Sequence, residues 1–189
     1  MRVAVIGTGN IGGTLGKKWL AAGQDVVFGA RTPAASGPGG APVLPVAEAL
    51  AGAEVVLLAV PGPVVAEVVS AHAPALAGTV VIDAANRMGE PAAHSRETVA
   101  AAAPDARYVR AFITLGWENF ADPPAGADLF FAADPRARAT AEELITAVGL
   151  EPVFVGDAGA ADIVDGALRL WFALVQQSGN RRLAFRVVR

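Results

Sequence analysis

No cysteine occurs in this chain, which removes disulfides, iron–sulfur clusters, thiolate zinc sites and cysteine nucleophiles together. Charge is scarce as well. Only 17% of the 189 residues are charged and the formal net charge is −3, so the concentrated basic face that nucleic acid demands is missing. Arg181, Arg182, Arg186 and Arg189 form the one local basic cluster, which reads as a solvated helix face. Long apolar runs are absent too. Hydrophobic residues reach 53%, yet no stretch of about 18 residues lacks a charge or a strong breaker, so no membrane span is predicted. The two histidines, His72 and His94, stand far apart and offer no metal-ligand spacing, so no metal site is predicted. Met1 opens directly into a strand pattern, leaving no room for a signal peptide, and together with the missing cysteine this points to a cytoplasmic setting.

What is present begins at once. Arg2-Val3-Ala4-Val5-Ile6 reads as a buried strand and runs into Gly7-Thr8-Gly9-Asn10-Ile11-Gly12, which opens a helix striped by Ile11, Leu15, Trp19 and Leu20. In this setting Gly7 permits the tight turn, Gly9 lets the backbone approach a pyrophosphate, and Gly12 lets the helix pack close to the strand. The helix N-terminus then offers free N–H groups to the anion without a basic side chain. Gly23 stops the helix, and Asp25-Val26-Val27-Phe28-Gly29 is the next strand. An NAD site would place a carboxylate after that strand to take the ribose 2′-OH. Here the chain reads Ala30-Arg31-Thr32, a guanidinium and a hydroxyl suited to a 2′-phosphate, so NADP(H) is the predicted dinucleotide.

Strands and helices then alternate. Pro33 to Pro45 reads as a surface loop, and Val46–Ala51 as a short helix. Strands are predicted at Glu54–Ala59, Thr79–Asp83, Arg107–Phe112, Leu129–Ala132 and Pro152–Val155, and helices at Val64–His72, Ser95–Ala103, Arg136–Val148 and Ala160–Gln177, the last capped by Asp157. This is an α/β chain: a Rossmann-type, doubly wound parallel sheet over residues 1–156 with a helical C-terminal segment over 157–189. Ligands of such sheets gather at the carboxyl ends of the strands, here the loops that begin at Gly7, Gly29, Ala59, Ala84 and Phe112.

A proton donor is hard to find there. Tyr108, the single tyrosine, is followed four residues on by Phe112 rather than lysine, and the only lysines are Lys17 and Lys18 in the first helix. The tyrosine–lysine and helical-lysine mechanisms of common dehydrogenases are therefore missing, and no catalytic residue is assigned. A hydride acceptor that spreads the electrons over a conjugated ring and takes its proton from solvent fits this absence.

Taken together, these segments resemble the family of coenzyme F420-dependent NADP oxidoreductases. The resemblance rests on Gly7 to Gly12, on Gly29-Ala30-Arg31-Thr32, on Ala59-Val60-Pro61, on Asp83-Ala84-Ala85-Asn86, on Val109 to Gly116, and on Asp157-Ala158-Gly159 leading to Leu170-Trp171. It implies NADP binding by the first two segments, by Ala59, Val60 and Pro61 and by Asn86. It also implies hydride exchange with F420, a flavin or another small conjugated acceptor, met by Phe112, Ile113, Thr114, Leu115 and Trp171. Ile113 stands where many relatives carry asparagine. Two other readings are an imine or ketone reductase, with Thr114 or Asn86 polarising the substrate, and a non-catalytic NADP-binding redox sensor. Trp171 and Phe172, beside Ile163, Val164, Leu168 and Val175, give the last helix more apolar surface than one face buries, which predicts a homodimer that pairs this helix with its copy.

Overall fold

The computed structural model describes residues 1–188, so Arg189 of the basic cluster lies outside the described residues. In chain order the elements are β1 (Arg2–Ile6), α1 (Asn10–Ala21), β2 (Asp25–Gly29), β3 (Val43–Leu44), α2 (Val46–Leu50), β4 (Val55–Leu58), α3 (Val65–Ala71), α4 (Ala73–Leu76), β5 (Val80–Asp83), α5 (Arg96–Ala102), β6 (Arg107–Arg110), α6 (Trp117–Ala121), β7 (Asp128–Ala133), α7 (Arg138–Val148), β8 (Glu151–Gly156) and α8 (Ala161–Ser178). The strands form one Rossmann-like sheet in the order β3-β2-β1-β4-β5-β6-β7-β8. Valine-rich strands such as Val55–Leu58 and Val80–Asp83 are buried on both faces, as parallel strands between helix layers must be. One layer packs α1 and α7 through Leu15, Trp19, Leu144 and Val148, with the Trp19 indole donating to the Leu144 carbonyl at 3.0 Å. The other buries Ala49, Val65, Val69 and Val99 of α2, α3 and α5.

The sheet departs from the all-parallel expectation at one place. β7 runs antiparallel to β6, and β8 follows β7 in parallel. Beyond β6, Phe112 takes a left-handed backbone with φ of 60°, and the chain stays at the carboxyl edge, where Trp117 of α6 borders a groove with Gly9 and Asn10. A strand that starts at that edge can only run back. Arg110 pairs with Ala132, so Asp128 to Phe131 project past the ends of the parallel strands by about 13 Å at roughly 3.3 Å per residue. α8 starts near this level and climbs along the same side.

The 33–45 loop is also more ordered than its composition suggests, since Ala34 and Val43 bridge each other and β3 adds an edge strand to β2. No helix among the described residues is long and apolar enough to cross a membrane.

Candidate functional site

The glycines after β1 divide their work as the spacing predicts. Gly7 holds φ at 112°, and a Cβ there would overlap the Ala59 carbonyl; one on Gly12 would overlap the Gly7 carbonyl. These two fix how α1 leaves the sheet. Gly9 differs, because a Cβ there would meet nothing within 4 Å. It is the N-cap of α1, where a glycine has no side chain to bond the first-turn N–H groups, and Thr8, Gly9 and Asn10 there are exposed. A helix N-terminus of this kind can take an anion such as a pyrophosphate on its backbone N–H groups.

From Gly9 a cavity of about 300 Å³ extends along Gly7, Thr8, Ala30, Arg31, Ala59, Val60 and Pro61. Eight of the thirteen residues assigned to the cofactor from sequence therefore share one cavity wall. Arg31 is exposed, with no hydrogen bond or ion pair to a described residue, and Thr32 stands exposed beside it. Asn10 is exposed and lines a groove next to it with Thr14, Lys17 and Trp117, whereas Ile11 is half-buried and packs against the core and Gly12 is buried. Sequence reasoning missed the apolar wall of Val46, Val64 and Val68. The one available signal was that Val64 and Val68, four residues apart, are apolar positions at the solvent end of a helix.

Asn86 borders a different cavity, of about 500 Å³, with Gly62, Pro63, Ala66, Arg87, Met88, Glu90, Ser95 and Thr98. The two linings follow one another in sequence at Pro61 and Gly62, and a Cβ on Gly62 would overlap the Asn86 carbonyl. Behind Asn86 lies a buried ionic network that the sequence did not disclose. Arg110 is fully buried; its Nε and Nη2 reach Asp165 Oδ1 at 2.9 and 2.8 Å, and its Nη1 donates to the Ala85 and Asp83 carbonyls at 2.5 and 3.2 Å. Arg110 Nη2 also donates to Asn86 Oδ1 at 2.8 Å. A guanidinium only donates, so the amide oxygen must face it and the Asn86 NH₂ is left for the cavity side. The available signal was Arg110 itself, a charge set between Val109 and Ala111 that had to find a partner if that stretch was buried.

Asp83, which the sequence left open between facing the cofactor and holding the loop, does the second. Fully buried, it accepts from the Ala85 N–H at 3.1 Å, the Ser95 N–H at 2.6 Å and the Tyr108 hydroxyl at 2.8 Å. Burial first, and the Asp83 charge next, push the Tyr108 phenol well above its ordinary range, so it stays protonated. Asp165 Oδ2 accepts from the Ala93 and His94 N–H groups at 2.9 and 3.0 Å. His94, Asp162 and Asp165 bring three donor atoms within 4.8 Å of one another, the one such grouping among the described residues, but both Asp165 oxygens are committed to the network.

The residues assigned to the acceptor are placed differently. Phe112, Ile113, Thr114, Leu115 and Trp171 are each at most 3% exposed, and none lines either cavity. Phe112 stacks edge-on between Trp19 and Phe120. Thr114 is fully buried with its hydroxyl unpartnered. Trp171 lies under the C-terminal tail and donates to the Leu183 carbonyl at 2.9 Å, so it belongs to the chain's own core rather than to the outer face of the last helix. Val164 and Leu168 are likewise buried, Phe172 is 37% exposed and stacks edge-on against Trp171, and Ile163, Leu170 and Leu174 form the exposed apolar side of α8. Asp157 caps the short turn before α8 by accepting from the Gly159 N–H.

Residues 2–87, which carry the glycine turn, Arg31 and Asn86, match the family model described as NADP oxidoreductase, coenzyme F420-dependent. A candidate F420-dependent NADP-reductase from Arthrobacter sp. FB24 superposes with a TM-score of 0.87 at 25% identity, over 100% of both chains. The hypothetical protein SMa0349 from Sinorhizobium meliloti is 30% identical over 85% of this chain and 87% of its own, with a TM-score of 0.72. A reductive aminase from Aspergillus terreus, in complex with NADPH4, cyclohexanone and allyl amine, shares the fold at 19% identity and a TM-score of 0.74; this chain covers 62% of its length. The chain belongs to the NADP oxidoreductase family described as coenzyme F420-dependent.

Proposed function

We propose that the protein transfers a hydride between NADPH and a small conjugated acceptor such as F420 or a flavin. The observation that carries this reading is the uncapped α1 N-terminus opening into a cavity that ends at an unpaired Arg31. The backbone N–H groups would hold the pyrophosphate, Val46, Val64 and Val68 would take the adenine, and Arg31 with Thr32 would hold the 2′-phosphate. Bound NADPH supplies two electrons and a proton as hydride. The Asn86 amide, fixed by Arg110, would meet its nicotinamide end. A ring acceptor A becomes AH₂ by taking the hydride and one solvent proton, so NADPH + H⁺ + A gives NADP⁺ + AH₂.

No side chain at these cavities holds a transferable proton as tyrosine or lysine does in other reductases. Of the two donors considered for imine or ketone reduction, Thr114 is fully buried, and Asn86 can polarise a substrate but carries no transferable proton, which weighs against that alternative. Oxidation of NADPH, screened against F420, FMN, quinones and cyclic imines, tests the choice; turnover with cyclic imines alone would overturn it, and no turnover at all would favour a redox sensor.

The same reading includes a cytoplasmic homodimer. Ile163, Leu170 and Leu174 recur on one side of α8 and can meet their copies across a twofold axis. Light scattering at micromolar concentration checks this, and a monomer would overturn it.

A further inference from the structure

The cavity beyond Asn86 has a wall of unused hydrogen-bond donors around a cation that no carboxylate neutralises. Arg87 donates through Nη2 to the His94 carbonyl at 2.8 Å and to the Ala92 carbonyl at 3.3 Å, while its Nε is buried without a partner. It forms no ion pair with any described residue. Ser95 is 1% exposed; its N–H is taken by Asp83, but its hydroxyl has no partner. Thr98 follows one helical turn later on α5, and the Asn86 NH₂ completes the set. A buried hydroxyl without a partner and a partly buried guanidinium without a counter-ion each cost free energy that an acceptor-rich ligand would recover.

The rest of the lining is largely apolar. Pro63, Ala66 and the flexible Met88, 56% exposed, border the same cavity. Glu90 is the one acidic residue at the cavity, and it stands exposed at the rim. A volume of about 500 Å³ falls within the range of roughly 300–1,000 Å³ typical of small-molecule sites.

We propose that this cavity is the seat of the hydride acceptor, and that the acceptor is a flat conjugated ring bearing an oxyanion, carboxylate or phosphate, which Arg87, Ser95 and Thr98 hold while the ring lies against Pro63, Ala66 and Met88. The assignment of the acceptor rests on the cofactor reading above, in which the dinucleotide runs past Pro61 of the first cavity to Asn86, a residue that lines this one beside Gly62. Arg87, Ser95 and Thr98 act here as specificity-determining residues.

The test uses matched pairs of acceptors with the protein saturated in NADP⁺, so that the pyrophosphate site is already filled. Riboflavin and FMN differ by one phosphate, and 1,4-naphthoquinone and its 2-carboxylate by one carboxylate; binding is read from ligand fluorescence or calorimetry. FMN is expected to bind at least about tenfold tighter than riboflavin if the oxyanion is a phosphate, and the carboxylated quinone tighter than its parent if it is a carboxylate. Ser95→Ala and Arg87→Gln should each shrink that preference about three- to tenfold. Ser95→Ala should do so without lowering the midpoint of urea unfolding, since the hydroxyl it removes bonds to nothing in the protein. Equal affinity within both pairs, or a preference untouched by both substitutions, would overturn the proposal. Loss of NADP⁺ affinity in Ser95→Ala would assign the residue to the cofactor and overturn it too. The affinity of the unaltered protein for NADP⁺, followed by tryptophan fluorescence, tests the cofactor reading by itself.

Discussion

At the end of β1 the chain leaves its polar groups unused: the first turn of α1 has no side-chain cap and a Cβ on Gly9 would touch nothing. Two strands away, at the end of β5, Arg110 donates four hydrogen bonds and meets Asp165 in a further ion-pair contact through Nη2, and Asp83 takes three donors. The first region is a set of vacant donors made of backbone. The second is a saturated network made of side chains. An unfilled turn at the surface costs little because water serves it, whereas charges out of water persist only when fully paired. Ligand binding can therefore be left to the first, and the second must be complete before any ligand arrives.

That contrast breaks most visibly at Arg110. Arg110→Met strands Asp83 and Asp165 without their cation and is expected to cost about 3–5 kcal/mol in urea unfolding. A loss under about 1 kcal/mol would mean the network is not the rigid half of the comparison. Gly9→Val is the opposite case. It should abolish NADPH binding in a calorimetric titration yet leave the circular dichroism spectrum intact, since the added side chain meets only the space a pyrophosphate takes. Unfolding there would show that both regions are structural.

Arg31→Ala tests whether the vacant region also chooses its dinucleotide. A charge-assisted phosphate contact is worth about 1.5–3 kcal/mol, so NADPH affinity should fall roughly ten- to hundredfold with NADH little changed. Equal weakening of both would remove Arg31 from the 2′-phosphate.

Tyr108→Phe has the smallest effect and sharpens the saturated side. Losing one buried hydrogen bond to Asp83 should cost about 1 kcal/mol at neutral pH. At high pH the variant should gain on the parent. The unfolded phenol ionises near pH 10 while the folded one holds its proton well above that, so past about pH 10 the unfolded state binds fewer protons and parental stability falls. Phenylalanine removes that slope. Parallel alkaline unfolding curves for the two proteins would show that Tyr108 does not titrate between them.

The same contrast decides what could be read beforehand. The glycine turn, the strand before it and Arg31 lie within thirty-odd residues, and each has a local conformational or charge requirement that leaves a mark in sequence. Most strands followed for the same reason. The reversal of β7 did not, because it depends on Phe112 adopting φ of 60° and on α6 settling against α1, neither of which has a periodic signature. The network of Arg110 joins residues from 83 to 165, and Trp171 turned inward because Leu183, beyond the helix, supplies its acceptor. Periodicity located an apolar helix correctly and could not tell which of its two apolar sides had a lid.

Asp165 carries a consequence for how the protein is made. Ribosomes deliver Arg110 well before the helix that holds its carboxylate partner, so a nascent chain that has released β1 to β6 has an arginine in its central sheet short of one acceptor. The glycine turn and Arg31, all within the first 31 residues, do not wait on that event, but the Asn86 edge does. Synthesis order thus separates the glycine turn from the Asn86 edge in time, and a chain truncated before α8 would lack the Asp165 carboxylate that Arg110 meets.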